Sequence, residues 1–208
     1  MSTLQPTLGK LTFESEGAEG GPYHSRILHV PTDVSGLTLG RGYDMKLKDQ
    51  SKIKKDLIAA GVDSKVAEIL AQAAGLSGQD AKTFITTHNL EKFEITEATQ
   101  VSLFGATYKE EEAETKRLCT KADVVAKYGN CNWAKLSPAI KQVLVDLKFR
   151  GDYTGRTRRF LQKHVVANDR KGFLFEMSKK SNWRHLRVPA DRFKRRVNFL
   201  KANSFIKP

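Results

Sequence analysis

Glu14, Glu16 and Glu19 cluster where an apolar stretch carrying Leu4, Leu8, Leu11 and Phe13 gives way to Gly17. The leucines recur at helical spacing, and glycine suits a helix end, so a short first helix is expected to stop at Gly17. A carboxyl at a helix C-terminus meets the negative end of the dipole and partial burial, and both raise its pKa. That is the chemistry of a general acid. Glu14 and Glu16 face different ways on a helix, and Glu16, in the last turn, is the better placed. Three solvated glutamates are the ordinary alternative.

A second constellation is Ser35-Gly-Leu-Thr-Leu-Gly-Arg-Gly-Tyr-Asp44. Its glycines permit tight turns and close approach to the backbone. Gly40 and Gly42 form a lone G-x-G with no third glycine and no apolar helix after it, so a dinucleotide fingerprint is poorly supported. No Gly-Lys-Ser/Thr follows, which excludes a P-loop. Thr38 and Asp44 are polar groups on a glycine-bounded ribbon and could hold a water between them. A turn-capping role is the plainer reading of Asp44.

The elements that would position these groups follow from periodicity. Residues 22–43 predict a small hairpin or three-stranded ribbon, with Pro31-Thr-Asp in a turn. Short helices are expected over Ser51–Ala60, Ser64–Ala74 and Gln79–His88, each with a Gly or Asn stop. Thr96 caps a long helix from Glu97 to about Cys119. Its back half, Lys109-Glu-Glu-Glu-Ala-Glu-Thr-Lys-Arg, reads as polar all round and so as a solvent-bridging connector. Ile140 to Leu147 fit a buried helix after Ser137-Pro138. Phe160 and Leu161, Phe173 to Met177, and Phe193, Val197 and Leu200 mark three more. The fold class is α+β, mostly helical: a small β-ribbon lobe over about 17–95, an interlobe helix over about 97–119, and a helical lobe over about 120–208. Two lobes so joined leave a cleft.

The 208 residues carry a net charge of +13, unevenly spread. Residues 1–115 hold 12 basic and 17 acidic side chains; residues 116–208 hold 24 and 6. A half at +18 is drawn to polyanions: nucleic acid, an anionic membrane or a cell wall. No run approaches the roughly 18 apolar residues of a membrane span. The N-terminus lacks the basic and apolar regions of a signal peptide, so the expected place of synthesis is the cytoplasm. Cys119 and Cys131 form no CxxC, and the five histidines form no HExxH, so neither a metal nor another cofactor is expected. Free thiols are the favoured reading of the two cysteines.

The run Glu16-Gly17, a hairpin, then Thr38-Leu-Gly-Arg-Gly-Tyr resembles the phage-type lysozymes. Gly-Leu-Thr-Leu-Gly-Arg-Gly-Tyr-Asp-Met is nearer still to the pesticin-like muramidases of the same superfamily. Ile95-Thr-Glu-Ala-Thr-Gln-Val-Ser-Leu-Phe resembles the start of their interlobe helix. Leu147-Lys-Phe-Arg-Gly-Asp-Tyr-Thr-Gly resembles a cleft-side helix end. Asn182-Trp183 with Pro189-Ala-Asp-Arg192-Phe-Lys-Arg195 resembles their Trp…Thr-Pro-Asn-Arg-Ala-Lys-Arg segment. The order of the four matches over residues 10–200 carries the resemblance more than any one of them.

The resemblance implies a two-lobed lysozyme-like fold, with the first helix packed on the helical lobe. It implies hydrolysis of the β-1,4 bond between N-acetylmuramic acid and N-acetylglucosamine in peptidoglycan. Glu16 would protonate the leaving oxygen, and a second carboxylate with Thr38 would position water. An inverting site holds its carboxyls about 6.5–9.5 Å apart to admit that water. Phage enzymes place this Asp six residues before the Thr, where Thr32 stands here beside Asp33. The pesticin-like pattern places it six after, at Asp44. Asp44 is preferred, with Asp33 in reserve. Arg192 would pair with Glu16 and orient it. Phe149 and Arg150 would line the cleft, against core packing and surface charge as plain alternatives. The expected protein is a monomer acting in the periplasm or cell wall after release or injection, as an antibacterial lysin or toxin domain. An immunity protein would accompany a toxin, and the basic half would meet the anionic envelope. A nucleic-acid binder and an inactive wall-binding lysozyme fold are the competing classes; the first leaves the ordered matches unexplained.

Overall fold

The computed structural model describes residues 4–203, and the last five residues of the expected helical lobe lie outside them. Its helices are α1 (Lys10–Phe13), α2 (Gln50–Ala59), α3 (Ser64–Ala71), α4 (Gly78–Thr87), α5 (Glu97–Thr120) and α6 (Ala122–Tyr128). They continue as α7 (Pro138–Phe149), α8 (Gly155–Val166), α9 (Arg170–Ser178), α10 (Lys180–Trp183) and α11 (Ala190–Ala202). The strands β1 (Thr38–Leu39) and β2 (Tyr43–Asp44) form a two-stranded antiparallel sheet. The chain is therefore mostly helical with a small sheet, as the α+β reading expects. No described helix is long and apolar enough to cross a membrane. The described residues divide into two compact units, with the division between Thr107 and Tyr108.

In the first unit the ribbon is the lid of a helical core. Leu37, Leu39, Tyr43 and Met45 are each at most 2 % exposed and pack with Ile53, Leu57, Ala67, Leu70 and Phe84. Alternate residues of a strand face opposite ways. Burying this set therefore sends Thr38 and Asp44 to the other face together. Gly40 and Gly42 take positive φ at the tip (62° and 90°). His29 makes an isolated antiparallel bridge to Thr38, but the sheet itself is two-stranded, the hairpin alternative of the expected ribbon. Asp49 and Asp63 cap α2 and α3 by accepting from backbone N–H groups, a contact that stabilises a helix by about 1 kcal/mol.

Two expectations need correction. The first helix does not begin among the leucines: α1 starts at Lys10 after Gly9 in a left-handed backbone, and Leu4 and Leu8 are 44 % and 54 % exposed. Glycine at that position breaks the register, so only Leu11, Thr12 and Phe13 are buried on α1. Nor is the back half of α5 polar all round. Tyr108, Thr115 and Cys119 are buried at spacings of seven and four, one helical stripe. Thr115 can be buried because its hydroxyl donates to the Glu111 carbonyl at 2.6 Å. Glu111 in turn pairs with Lys148 at 2.8 Å. The charges of this segment occupy the remaining faces.

The second unit packs α7, α8, α9 and α11, with α6 on α8. Pro138 opens α7 as expected, though the Ser137 side chain makes no cap bond. Thr154 and Thr157 cap α8 reciprocally. Cys119 and Cys131 are both free and buried. The Cys119 Sγ lies 3.1 Å from the Tyr153 hydroxyl, which donates to Gln162.

Candidate functional site

Glu16 stands on the bend that follows α1. Its carboxylate Oε1 is buried, while the residue as a whole is half-buried. A Cβ on Gly17 would meet the Ser25 Cβ at 2.7 Å, so the residue after Glu16 must be glycine for the bend to close on Ser25. The other two glutamates have different duties. Glu14 is on the surface and pairs with Lys10 at 3.7 Å. Glu19 accepts from Arg26 at 2.9 Å, Arg41 at 3.1 Å and Gln100 at 2.6 Å. Burial raises the Glu19 carboxyl, but the hydrogen bonds from Gln100, Arg41 and Arg26 outweigh it and leave the group below the usual glutamate range. A carboxylate held ionised by two guanidiniums is an anchor rather than a proton donor.

Thr38 and Asp44 are direct cross-strand partners. Asp44 accepts from the Gly36 N–H at 3.1 Å through Oδ2 and from the Lys46 N–H at 2.8 Å through Oδ1. The Thr38 hydroxyl donates to the Gly36 carbonyl at 3.2 Å, and Thr38 is 4 % exposed. The turn-capping role of Asp44 is therefore real. It also fixes the carboxylate's direction while each oxygen keeps a lone pair for a further donor. Asp33, the reserve carboxylate, sits in the preceding turn with a side chain 91 % exposed, paired to Lys82 at 3.2 Å. Of the two aspartates only Asp44 is placed beside Thr38.

Arg41 joins the ribbon to the Glu16 bend. From the hairpin tip its Nη1 donates to the Phe13 carbonyl at 2.6 Å, and its guanidinium lies 3.9 Å from the centre of the Phe13 ring. Its Nη2 holds Glu19. Phe13 itself packs edge-on against Phe104 at 5.0 Å. The carbonyl that Arg41 takes belongs to the end of α1, three residues before Glu16. Arg41 has no role among the residues expected from the sequence; an arginine between the two turn glycines Gly40 and Gly42 was the available signal.

A substitution tests this local geometry. A Cβ on Gly36 would come within 2.2 Å of Asp44 Oδ1 and 2.8 Å of the Lys46 nitrogen. Gly36→Ala is expected to cost about 1–3 kcal/mol by forcing the Asp44 turn open. Urea denaturation would measure it, with a shift under about 0.5 kcal/mol counting against the close packing.

The remaining expected site residues belong to the second unit. Arg192 binds Asp146 through Nη2 at 2.8 Å and Nε at 3.3 Å. Arg196, one turn on, binds Asp146 at 2.5 Å and Asp152 at 2.8 Å. Asp146 is fully buried; burial raises its pKa, but Arg196 and Arg192 outweigh this and hold it below the usual aspartate range. Arg150 clamps Asp152 at 2.5 Å and the Arg187 carbonyl at 3.1 Å, so it is neither a free surface charge nor an unengaged one. Phe149 is half-buried at the end of α7. Asp146 and Arg196 were not singled out from the sequence. A lone carboxylate in Val143-Leu-Val-Asp-Leu147 and an arginine four after Arg192 were the signals.

No curated protein matches the chain. Residues 9–197 match a family described as a domain of unknown function (DUF8812), a span that takes in Glu16, Thr38, Asp44 and Arg192 alike. The chain belongs to that family.

Proposed function

We propose that the protein is a peptidoglycan hydrolase that cleaves the β-1,4 bond between N-acetylmuramic acid and N-acetylglucosamine on a lysozyme-like fold. The observation that carries this reading is the pairing of Thr38 with Asp44 on a hairpin whose Arg41 is tied to the segment bearing Glu16. In this reading Glu16 is the general acid. Its proton goes to the glycosidic oxygen as that bond breaks. A water bound by Asp44 and the Thr38 oxygen attacks the anomeric carbon from the opposite face, and Asp44 takes the water's proton. Thr38 can serve only as an acceptor to that water, because its own proton is engaged by Gly36. Arg192 orienting Glu16, and Phe149 and Arg150 contacting glycan, belong to the same proposal. So does action on the wall as a lysin or toxin domain, as a monomer, with an immunity protein in the toxin case.

Digesting purified Gram-negative peptidoglycan tests the reading. The expected products carry new reducing ends on N-acetylmuramic acid, released with inverted anomeric configuration. Wall binding without reducing ends would select the inactive wall-binder instead. A salt-sensitive shift of DNA mobility that persists in Glu16→Gln would select a nucleic-acid binder, which the charge of residues 116–208 would suit.

The two aspartates separate cleanly. Asp44→Asn is expected to slow reducing-end release by about 10²–10⁴-fold, the usual worth of a positioned base. Asp33→Asn, at a side chain 91 % exposed, should stay within about twofold. The reverse pattern would reassign the base.

A further inference from the structure

The second unit carries a pocket of about 590 Å³ that the hydrolase reading does not use. It lies between the end of α10 with the turn that follows and one face of α11. Trp183, Val188, Phe193 and Val197 give it an apolar wall. Lys180, Arg184, Arg187, Lys194 and Lys201 stand around that wall, and no carboxylate lines it among the described residues. The helix explains the convergence: Lys194, Val197, Asn198 and Lys201 follow the i, i+3, i+4, i+7 spacing of one face. Arg192 and Arg196 leave α11 on another face, towards Asp146.

Trp183 backs the pocket at 3 % exposure, edge-on to Phe160 at 5.4 Å. Arg187 closes the short turn Arg184–Leu186 with a left-handed backbone, φ 49°, and its carbonyl accepts from Arg150 at 3.1 Å.

We propose that this pocket binds an anionic phospholipid, taking the phosphate of the headgroup among the cations and the first part of one acyl chain against the apolar wall. The volume falls in the range of about 300–1,000 Å³ usual for small-molecule sites. A bare phosphate would leave the apolar wall wet. A neutral lipid would leave five cations crowded without a counter-charge. Single-stranded nucleic acid stacks successive bases on exposed ring faces; Trp183 offers none at 3 % exposure, and the half-buried Phe193 is the one other aromatic ring of this wall. The proposal stands independently of the hydrolase reading.

Titration calorimetry on the full chain, with probes below their micelle concentration, tests it. Lysophosphatidylglycerol is expected to bind about tenfold more tightly than lysophosphatidylcholine of the same tail, and each added buried methylene should tighten binding by about fourfold. Glycerol phosphate, without a tail, should bind about 100-fold more weakly. Lys194→Glu with Lys201→Glu should weaken the lipid by about tenfold or more, whereas Lys116→Glu with Lys171→Glu, an equal charge change on exposed positions elsewhere, should cost under about twofold. Circular dichroism would establish that both double variants fold. Equal loss in both would reduce the effect to the general field of the basic half and overturn the proposal. So would indifference to headgroup charge or tail length. A probe that binds only after residues 204–208 are removed would give the pocket to the chain's own C-terminus, which also overturns it.

Discussion

Asp146→Asn is expected to lower the stability of the second unit by about 3–5 kcal/mol. Asp146 is fully buried between Arg192 and Arg196, which are 6 % and 1 % exposed. Arg196 and Arg192 hold it by ion pairs at 2.5 and 2.8 Å. The amide keeps the volume and loses the charge, so buried guanidiniums lose the carboxylate that offset their desolvation. For a protein of this size the loss lowers the thermal midpoint by roughly 10 °C. The same pair sets a pH dependence. The folded-state pKa of Asp146 lies below the ordinary aspartate value, so its contribution is complete at neutral pH and is lost as pH falls through the folded value, beginning below about pH 4. The gap in urea midpoint between wild type and Asp146→Asn should therefore be smaller at pH 3 than at pH 7. A variant within about 1 kcal/mol of wild type at pH 7 would show that the cluster is not what holds these helices.

Glu16→Gln is expected to reduce hydrolysis by about 10²–10⁴-fold while leaving the fold intact. The amide is isosteric and cannot supply the proton that the leaving oxygen needs. The neighbours make the prediction selective. Glu14→Gln removes an exposed partner of Lys10 and should change activity by less than about twofold. Glu19→Gln acts differently again. It leaves the 6 % exposed Arg41 without its carboxylate, while Arg26 keeps Glu94 at 2.7 Å, so it should destabilise the first unit before it affects chemistry. An activity loss in Glu19→Gln that tracks its loss of folded protein is the signature of an anchor.

The helices were legible because their signals are local. Gly61 and Asn89 follow the ends of α2 and α4 at positive φ, where periodicity placed those ends, whereas α3 ends at Ala71, three residues short of the expected Ala74. The hairpin was legible because Leu37, Leu39, Tyr43 and Met45 alternate with polar residues, and that alternation alone puts Thr38 and Asp44 on one face. The first helix was misread because leucine spacing outweighed Gly9, whose left-handed backbone resets the chain. The back half of α5 was misread because a count of charges hides a stripe as sparse as Tyr108, Thr115 and Cys119. The polar networks were the least legible part. Arg41 to Phe13 spans 28 positions and Gln100 to Glu19 spans 81, and no local pattern encodes such partners. Burial of a charge is decided by what packs over it, which a single sequence does not display.

Release of reducing ends from purified peptidoglycan by wild type and Glu16→Gln, matched for folded protein, decides whether Glu16 is the acid of a glycan-cleaving site. Wild type is expected to give N-acetylmuramic acid ends, and the variant to lose about 10²-fold or more of that release. Equal release by both proteins would move the acid elsewhere, and no release by either would contradict the hydrolase reading itself.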